Sequence, residues 1–300
     1  MVKDERFADG LPGGESSPLG GRPPGGRGRV LRHYSFVLGG ALVLAMLFAA
    51  ALSLLWSPYP PADIDVAHKL QPASAAHWLG TDVLGRDVAS QLLVGARNSI
   101  VVGVIAVGIG LGLGVLLGCI AAARRGWVEE LLMRAADFGF AFPALLSAIM
   151  LTAIYGPGLV TSIVAIGLFN VPVFLRISRA AALAVWSRDF VLAARACGKG
   201  PWRITVEHVL PNIASVLIVQ ATIQFAVAIL AEAALSYLGL GTQPPQPSWG
   251  RMLSDAQTLL FEAPQLAVYP GAAIALSVLG LNLMGDGLRD LLDPRLARHR

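Results

Sequence analysis

The sequence predicts an all-α membrane protein with six transmembrane helices and both termini in the cytoplasm. Three observations carry this. Of 300 residues, 55% are hydrophobic and only 14% charged, too little polar surface to clothe a water-soluble globule of this size. Six apolar runs approach the roughly 20 helical residues needed to cross a hydrocarbon core about 30 Å thick. The 23 Lys and Arg are also spread unevenly over the connections, and cytoplasmic flanks are the ones that retain basic residues during insertion.

The runs are Phe36 to Trp56, Ile100 to Ala123, Phe138 to Tyr155, Leu159 to Leu175, Ile213 to Ala231 and Leu266 to Met284, none of them containing Asp, Glu, Lys or Arg. With the amino terminus inside, 19 of the 23 basic residues fall on cytoplasmic segments, and only Lys69, Arg86, Arg97 and Arg251 lie outside. The sequence pI near 9.4 then reports topology and gives no case for nucleic-acid binding. Residues 1–33, rich in Gly and Pro, are expected to form a disordered cytoplasmic tail. The first apolar run follows this polar stretch and is too long for a cleavable signal core, so it reads as a retained helix. Cys119 and Cys197 fall at or beyond the inner face, where thiols stay reduced and no disulfide is expected.

Residues 57–99 form an outer connection. Within it Leu79-Gly80-Thr81-Asp82-Val83-Leu84-Gly85-Arg86-Asp87 favours turns, and Val88, Leu92, Leu93 and Ala96 recur at helical spacing, predicting either a short helix along the outer interface with a role in gating or an ordinary amphipathic entry to the second span. In the second span Gly110, Gly114 and Gly118 repeat every fourth residue, a face that admits close helix contact. Pro143, Pro172 and Pro270 lie in or near the third, fourth and sixth spans and are expected to kink them. In the fifth, Gln220 and Gln224 share a face with Thr222 nearby and Glu232 at the outer end. Together with Asn170, these polar groups serve either as interhelical glue or as the lining of a translocation pathway. The Pro- and Gly-rich stretch Leu238 to Leu253 reads as an outer loop, with Trp249 an interfacial anchor.

Several chemistries are absent. None of the three lysines, Lys3, Lys69 and Lys199, sits in a G-x-x-x-x-G-K-[ST] sequence, so the chain is no P-loop ATPase. His33, His68, His77, His208 and His299 are scattered and form no H-E-x-x-H, and no G-x-S-x-G occurs, which argues against metallohydrolase and serine-hydrolase chemistry. Transport or signalling remains. Between Ser178 and Leu210 a basic stretch separates two uncharged runs. It holds Ala193-Ala194, a glycine four residues later at Gly198, and Leu210-Pro211 twelve residues beyond that. The pattern predicts a small-faced helix, a sharp turn, and a second short helix ending at Pro211.

This loop resembles the coupling loop of binding-protein-dependent ABC importer permeases. Three blocks narrow the resemblance: Gly80 to Asp87, the loop from Ala193 to Pro211, and Leu238 to Leu253 followed by Asn282-Leu283-Met284-Gly285-Asp286-Gly287-Leu288-Arg289-Asp290. Together they resemble the second, C-type transmembrane subunit of the dipeptide, oligopeptide and nickel permease family. The resemblance implies a type I ABC importer transmembrane-domain architecture with a cytoplasmic coupling helix, in the bacterial inner membrane. It also implies a homologous second permease, two ATP-binding subunits that hold ATP and Mg, an outer solute-binding protein, and no cofactor in this chain. The cargo implied first is a di- or oligopeptide; nickel or another small solute is the alternative, and a non-ABC channel or receptor a more distant one. By resemblance, Ala193, Ala194, Arg195, Gly198, Lys199 and Pro201 form the ATPase-coupling surface, and Asp82, Arg86, Asp87, Trp249 and Arg251 the outer gate or binding-protein contact. The family often places Glu immediately before the two alanines; here that position is Leu192.

Overall fold

The glycine ladder of the second span organises the chain. The structure, a computed structural model, describes residues 27–292. Helix α1 (Arg27–Leu55) leads through a long connection to α2 (Val88–Arg124), followed by α3 (Gly126–Ala141), α4 (Ala144–Tyr155) and α5 (Leu159–Trp186). Two short helices, α6 (Asp189–Ala196) and α7 (Pro201–Ile204), connect α5 to α8 (Leu210–Tyr237), and α9 (Trp249–Ala256) precedes α10 (Gln265–Leu292). On α2, Gly110, Gly114 and Gly118 face Asn170, Phe174 and Ser178 of α5, so close that a Cβ on any of the three would overlap α5 atoms. Lipid tails are as apolar as Leu, so backbone approach and dispersion must hold such helices together. The expected small-residue contact is thus the central interface.

Around it lie two apolar clusters. One joins α2, α5, α8 and the short helices through residues such as Phe174, Trp186, Val191, Ile204 and Ile213. The other joins α1, α10 and α9 to the neighbouring ends of α2 and α8 through Met46, Val88, Ile229, Trp249 and Ile274. Here too glycine permits the approach, with Gly280 of α10 against Leu42 of α1 and Gly287 against Phe36.

Four expectations are corrected. Phe138 to Tyr155 is not one continuous helix: α3 and α4 meet at 83°, because Phe142, held extended (φ −99°, ψ 133°) before Pro143, cannot continue a helix. Among the described residues, five helices are long and apolar enough to cross a membrane, or six if this bent pair counts as one span. Residues 88–96 are no separate interfacial helix. They are the first turns of the 37-residue α2, with Val88, Ser90, Gln91 and Ala96 buried, and α2 at about 1.5 Å per residue is far longer than a hydrocarbon core. Trp249 is not an interfacial anchor but is buried, its Nε1 donating to the Leu92 carbonyl at 3.0 Å, and α9 makes part of the expected loop helical.

The fourth correction concerns Pro211, which does not end a helix: a continuous helical path runs from Pro201 to Tyr237. Residues Thr205–Val209 widen into a π-turn in which the Leu210 N–H reaches the Thr205 carbonyl. The wider turn relieves the clash between a proline ring and the carbonyl four residues earlier, and Pro211 sits in the first turn of the α-helix that follows, where its missing N–H matters least. The first and last helices extend beyond the apolar runs that announce them. Helix α1 begins at Arg27, inside the stretch expected as tail, and α10 runs on to Leu292; residues 1–26 lie outside the described residues.

Gly114→Leu should force α2 off α5 and destabilise the purified chain in detergent by about 1–3 kcal/mol, the usual range for overpacking. Gly112→Leu, with open space around it, should stay within about 0.5 kcal/mol of wild type. Thermal unfolding of both variants in one detergent checks the pair, and equal destabilisation would remove the ladder's special role.

Candidate functional site

The hairpin between α5 and α8 is built from residue size and backbone conformation. Val191 and Ala194 turn inward and are buried, whereas Leu192, Ala193 and Ala196 form an exposed face. The chain then reverses at Gly198, whose φ of +80° lies where a side chain is strained and around which the space is open. The Gly198 N–H donates to the Arg195 carbonyl and the Lys199 N–H to the Ala194 carbonyl, closing the helix end in the manner of a glycine C-cap. Pro201 starts α7, a position its fixed φ favours. The predicted helix and sharp turn are therefore present, with Ala193 on the exposed face, Ala194 buried beneath it and the reversal at Gly198.

Its charges are largely engaged within the hairpin and its base. The Arg195 guanidinium lies over the Trp186 ring, 4.8 Å from the centroid. Lys199 Nζ and Arg203 Nε each stand 2.5 Å from a carboxylate oxygen of Glu207, and Phe190 meets His208 edge to face at 6.2 Å. Glu207 and Trp186 were missed at the level of sequence. The Arg203–Glu207 spacing of four is the signal that could have found Glu207, but nothing local announces Trp186. Farther back, Arg179 pairs with Glu129 and Arg176 with Asp137, tying α3 to α5 near the hairpin.

At the opposite helix ends the connection 56–87 folds against α9. Asp82 accepts from the Leu84 and Arg86 backbone N–H groups at 2.8 and 2.9 Å, from Arg86 Nε at 2.6 Å and from Gln91 Nε2 at 2.9 Å. The Arg86 guanidinium extends to Asp255, which also pairs with Arg251 at 3.0 Å. Asp87 caps α2, accepting from Ser90 N and Oγ at 2.8 Å, and faces His77 Nδ1 at 2.9 Å. In the same connection the His68 imidazole, hydrogen-bonded to Asp65 at 2.6 Å, holds that carboxyl below the usual range. The structure thus gathers Asp82, Arg86 and Arg251 into one charged cluster, with Asp87 beside it and Trp249 wedged against Gly95. A recess of about 310 Å³ opens between this cluster and Pro244–Pro247.

The polar residues of the spans separate. Thr222 lines an apolar groove of about 890 Å³ among α1, α2, α8 and α10, with Gly108, Gly112, Leu217 and Phe225. Asn170 is buried between α5 and α2, its Nδ2 facing the Ala106 carbonyl at 3.5 Å. Gln224 and Glu232 are also buried, and Gln220 is half-buried.

Residues 114–298 match the family described as binding-protein-dependent transport system inner membrane component. The chain is 44% identical over 271 residues to the di/tripeptide transport system permease protein DppC of Pseudomonas aeruginosa, covering 88% of this chain and 89% of that protein. It is 42% identical over 260 residues to the dipeptide transport system permease protein DppC of Alkalihalophilus pseudofirmus, with coverage of 87% and 86%. To the glutathione transport system permease protein GsiD of Pectobacterium atrosepticum it is 39% identical over 269 residues, 89% of each chain. Among solved structures, a chain of the MetNI methionine ABC transporter in inward-facing conformations superposes with a TM-score of 0.57 at 17% identity, covering 68% of this chain and 96% of that one, a likeness of fold. With the fold and the hairpin, these similarities establish that the chain belongs to the binding-protein-dependent transport system inner membrane component family, as a permease subunit of an ABC importer.

Proposed function

We propose that this permease serves an importer of short peptides, and that its α6–α7 hairpin is the surface through which an ATPase subunit drives it. The observation that carries the second part is the hairpin itself: a small exposed face at Ala193 and Ala196 next to an open, positive-φ Gly198. A small-faced helix lets a partner's backbone approach closely, and paired charges at its base hold it as one piece with α8. The peptide assignment rests on relatives named for dipeptide, di/tripeptide and glutathione transport. The large groove is apolar and supplies little to distinguish one cargo from another, so selection falls to a separate binding protein.

In this reading both termini and the hairpin are cytoplasmic, and the cluster around Asp82, Arg86, Asp87, Trp249 and Arg251 is the outer face that meets the binding protein. A homologous second permease completes the pathway, two ATPase subunits hold ATP and Mg, and this chain catalyses no reaction of its own. Thr222, which lines the groove, is a polar group that cargo passes, and Gln220 is not among the groove's lining residues. Asn170, Gln224 and Glu232, proposed for the same path from the sequence, act from behind its wall.

Cys197 is exposed at the hairpin and Cys119 buried. In a Cys119→Ser chain expressed without partners, a membrane-impermeant maleimide should label Cys197 in inside-out vesicles and leave right-side-out vesicles unlabelled; the reverse pattern overturns the topology. Affinity purification of the tagged chain from its native membranes should recover a second permease and a P-loop ATPase. Gly198→Asp strains the turn by about 1–2 kcal/mol without a steric clash inside the chain, so the variant should insert normally while ATPase recovery falls at least tenfold. Undiminished recovery and wild-type uptake of a labelled dipeptide would sink the hairpin assignment.

A further inference from the structure

Glu232 is fully buried near the end of α8, and its bonds are to hydroxyls. Its Oε1 accepts from Ser236 Oγ at 2.6 Å and from Thr242 Oγ1 at 3.3 Å, while Ser236 Oγ in turn accepts from the Thr242 N–H at 3.0 Å. The ring so formed joins α8 to the loop 238–248. A carboxyl group taken out of water is costly, and an aliphatic side chain would fill the same volume without that cost. A carboxyl retained there has to be set against what it holds.

What it holds is a junction of three helices. The Leu240 carbonyl accepts from the Gly158 N–H at the start of α5 at 3.2 Å, and the Pro247 carbonyl accepts from Asn98 Nδ2 of α2 at 2.8 Å. The loop continues into Trp249, bonded to α2 at Leu92. It lies tight against α8 on both sides of the ring: a Cβ on Gly241 would overlap Ser236 and one on Gly250 would overlap Ala233. At the other end, the hairpin already joins α5 to α8. Helices α5 and α8 are thereby linked at both ends, and α2 is fastened to α5 along the glycine ladder.

We propose that Glu232 is a positioning residue for transport, a hydrogen-bond clasp that makes the loop 238–248 and the adjoining ends of α2, α5 and α8 move as one body with the hairpin. Its acceptor oxygen is the working part, so a neutral amide that keeps an acceptor serves in its place.

The test uses the whole complex in proteoliposomes, reading ATP hydrolysis with and without the binding protein as isolated with the cargo it carries. Glu232→Leu should assemble in normal amount and keep its basal hydrolysis but lose at least fivefold of the stimulation, while Glu232→Gln keeps at least half. Stimulation of Glu232→Leu within twofold of wild type overturns the proposal, as does a Glu232→Gln variant as defective as Glu232→Leu. If Glu232→Leu does not assemble, the double variant Ser236→Ala, Thr242→Val leaves the carboxyl and removes the two hydroxyls that donate to its Oε1. It should lose stimulation likewise, and wild-type behaviour overturns the clasp. The stimulation readout rests on the importer reading, and absent stimulation in the wild-type complex counts against that reading alone. Amide exchange across residues 238–243 in the same complexes is independent of it: exchange should be at least tenfold faster in Glu232→Leu, or in the double variant where that is used, and exchange as in wild type overturns the clasp.

Discussion

The contact between α2 and α5 is the constraint on which the other elements depend. In a membrane, apolar side chains gain nothing by leaving lipid for one another, so two helices stay together through the closeness of their surfaces. Gly110, Gly114 and Gly118 supply that closeness in one row, and Asn170, Phe174 and Ser178 fill it. With α5 fixed on α2, the hairpin that leaves α5 and the loop that meets its beginning are both placed. The ion pairs from Arg176 and Arg179 to α3 then set the bent α3–α4 pair against the same helix.

Charge follows a division of labour. At the hairpin, Glu207 engages two basic groups and Arg195 lies on an indole, leaving small and apolar groups at the exposed face of α6. In the connection before α2, acids are used as local scaffolding: Asp82 gathers backbone and side-chain donors around a turn, and Asp87 caps a helix that carries no acid in its own first turn. Burial of such groups is tolerable because each carboxyl is met by several donors. Thus Asp82 and Asp87 shape the surface of this connection from within.

Much of this fold was legible in the sequence wherever one physical rule acted alone. Uninterrupted apolar length revealed α1, α2, α5, α8 and α10. The period-four glycines of α2 announced a close contact, and Gly198 announced the reversal. The misreadings arose where two rules competed. Pro211 reads locally as a stop, yet a π-turn accommodates it. Val88 to Ala96 has the polar alternation of a surface helix, but the polar side is covered by α9 and the connection before α2, which no local pattern reveals. Trp249 has the composition of an interfacial residue, and its burial follows from Gly95, more than 150 positions away in the chain. Of the candidate site, the hairpin residues were visible because the backbone turn dictates them. Of the partners of Glu232, Ser236 stands one turn along the same helix, whereas Thr242 arrives only once the loop has closed.

The π-turn at Thr205–Val209 carries a consequence for the hairpin's aim. Successive residues of a helix point about 100° apart, and the π-turn accommodates one residue more than a regular helix would. Deleting a single residue there would restore ordinary winding and swing everything before it around the axis of α8 by more than a quarter of a revolution. Ala193, Ala196 and Gly198 would then face a different compass bearing, although no atom among them had changed. The heading of the hairpin's exposed face is therefore a matter of counting, set by a whole number of residues between Gly198 and the first turn of α8.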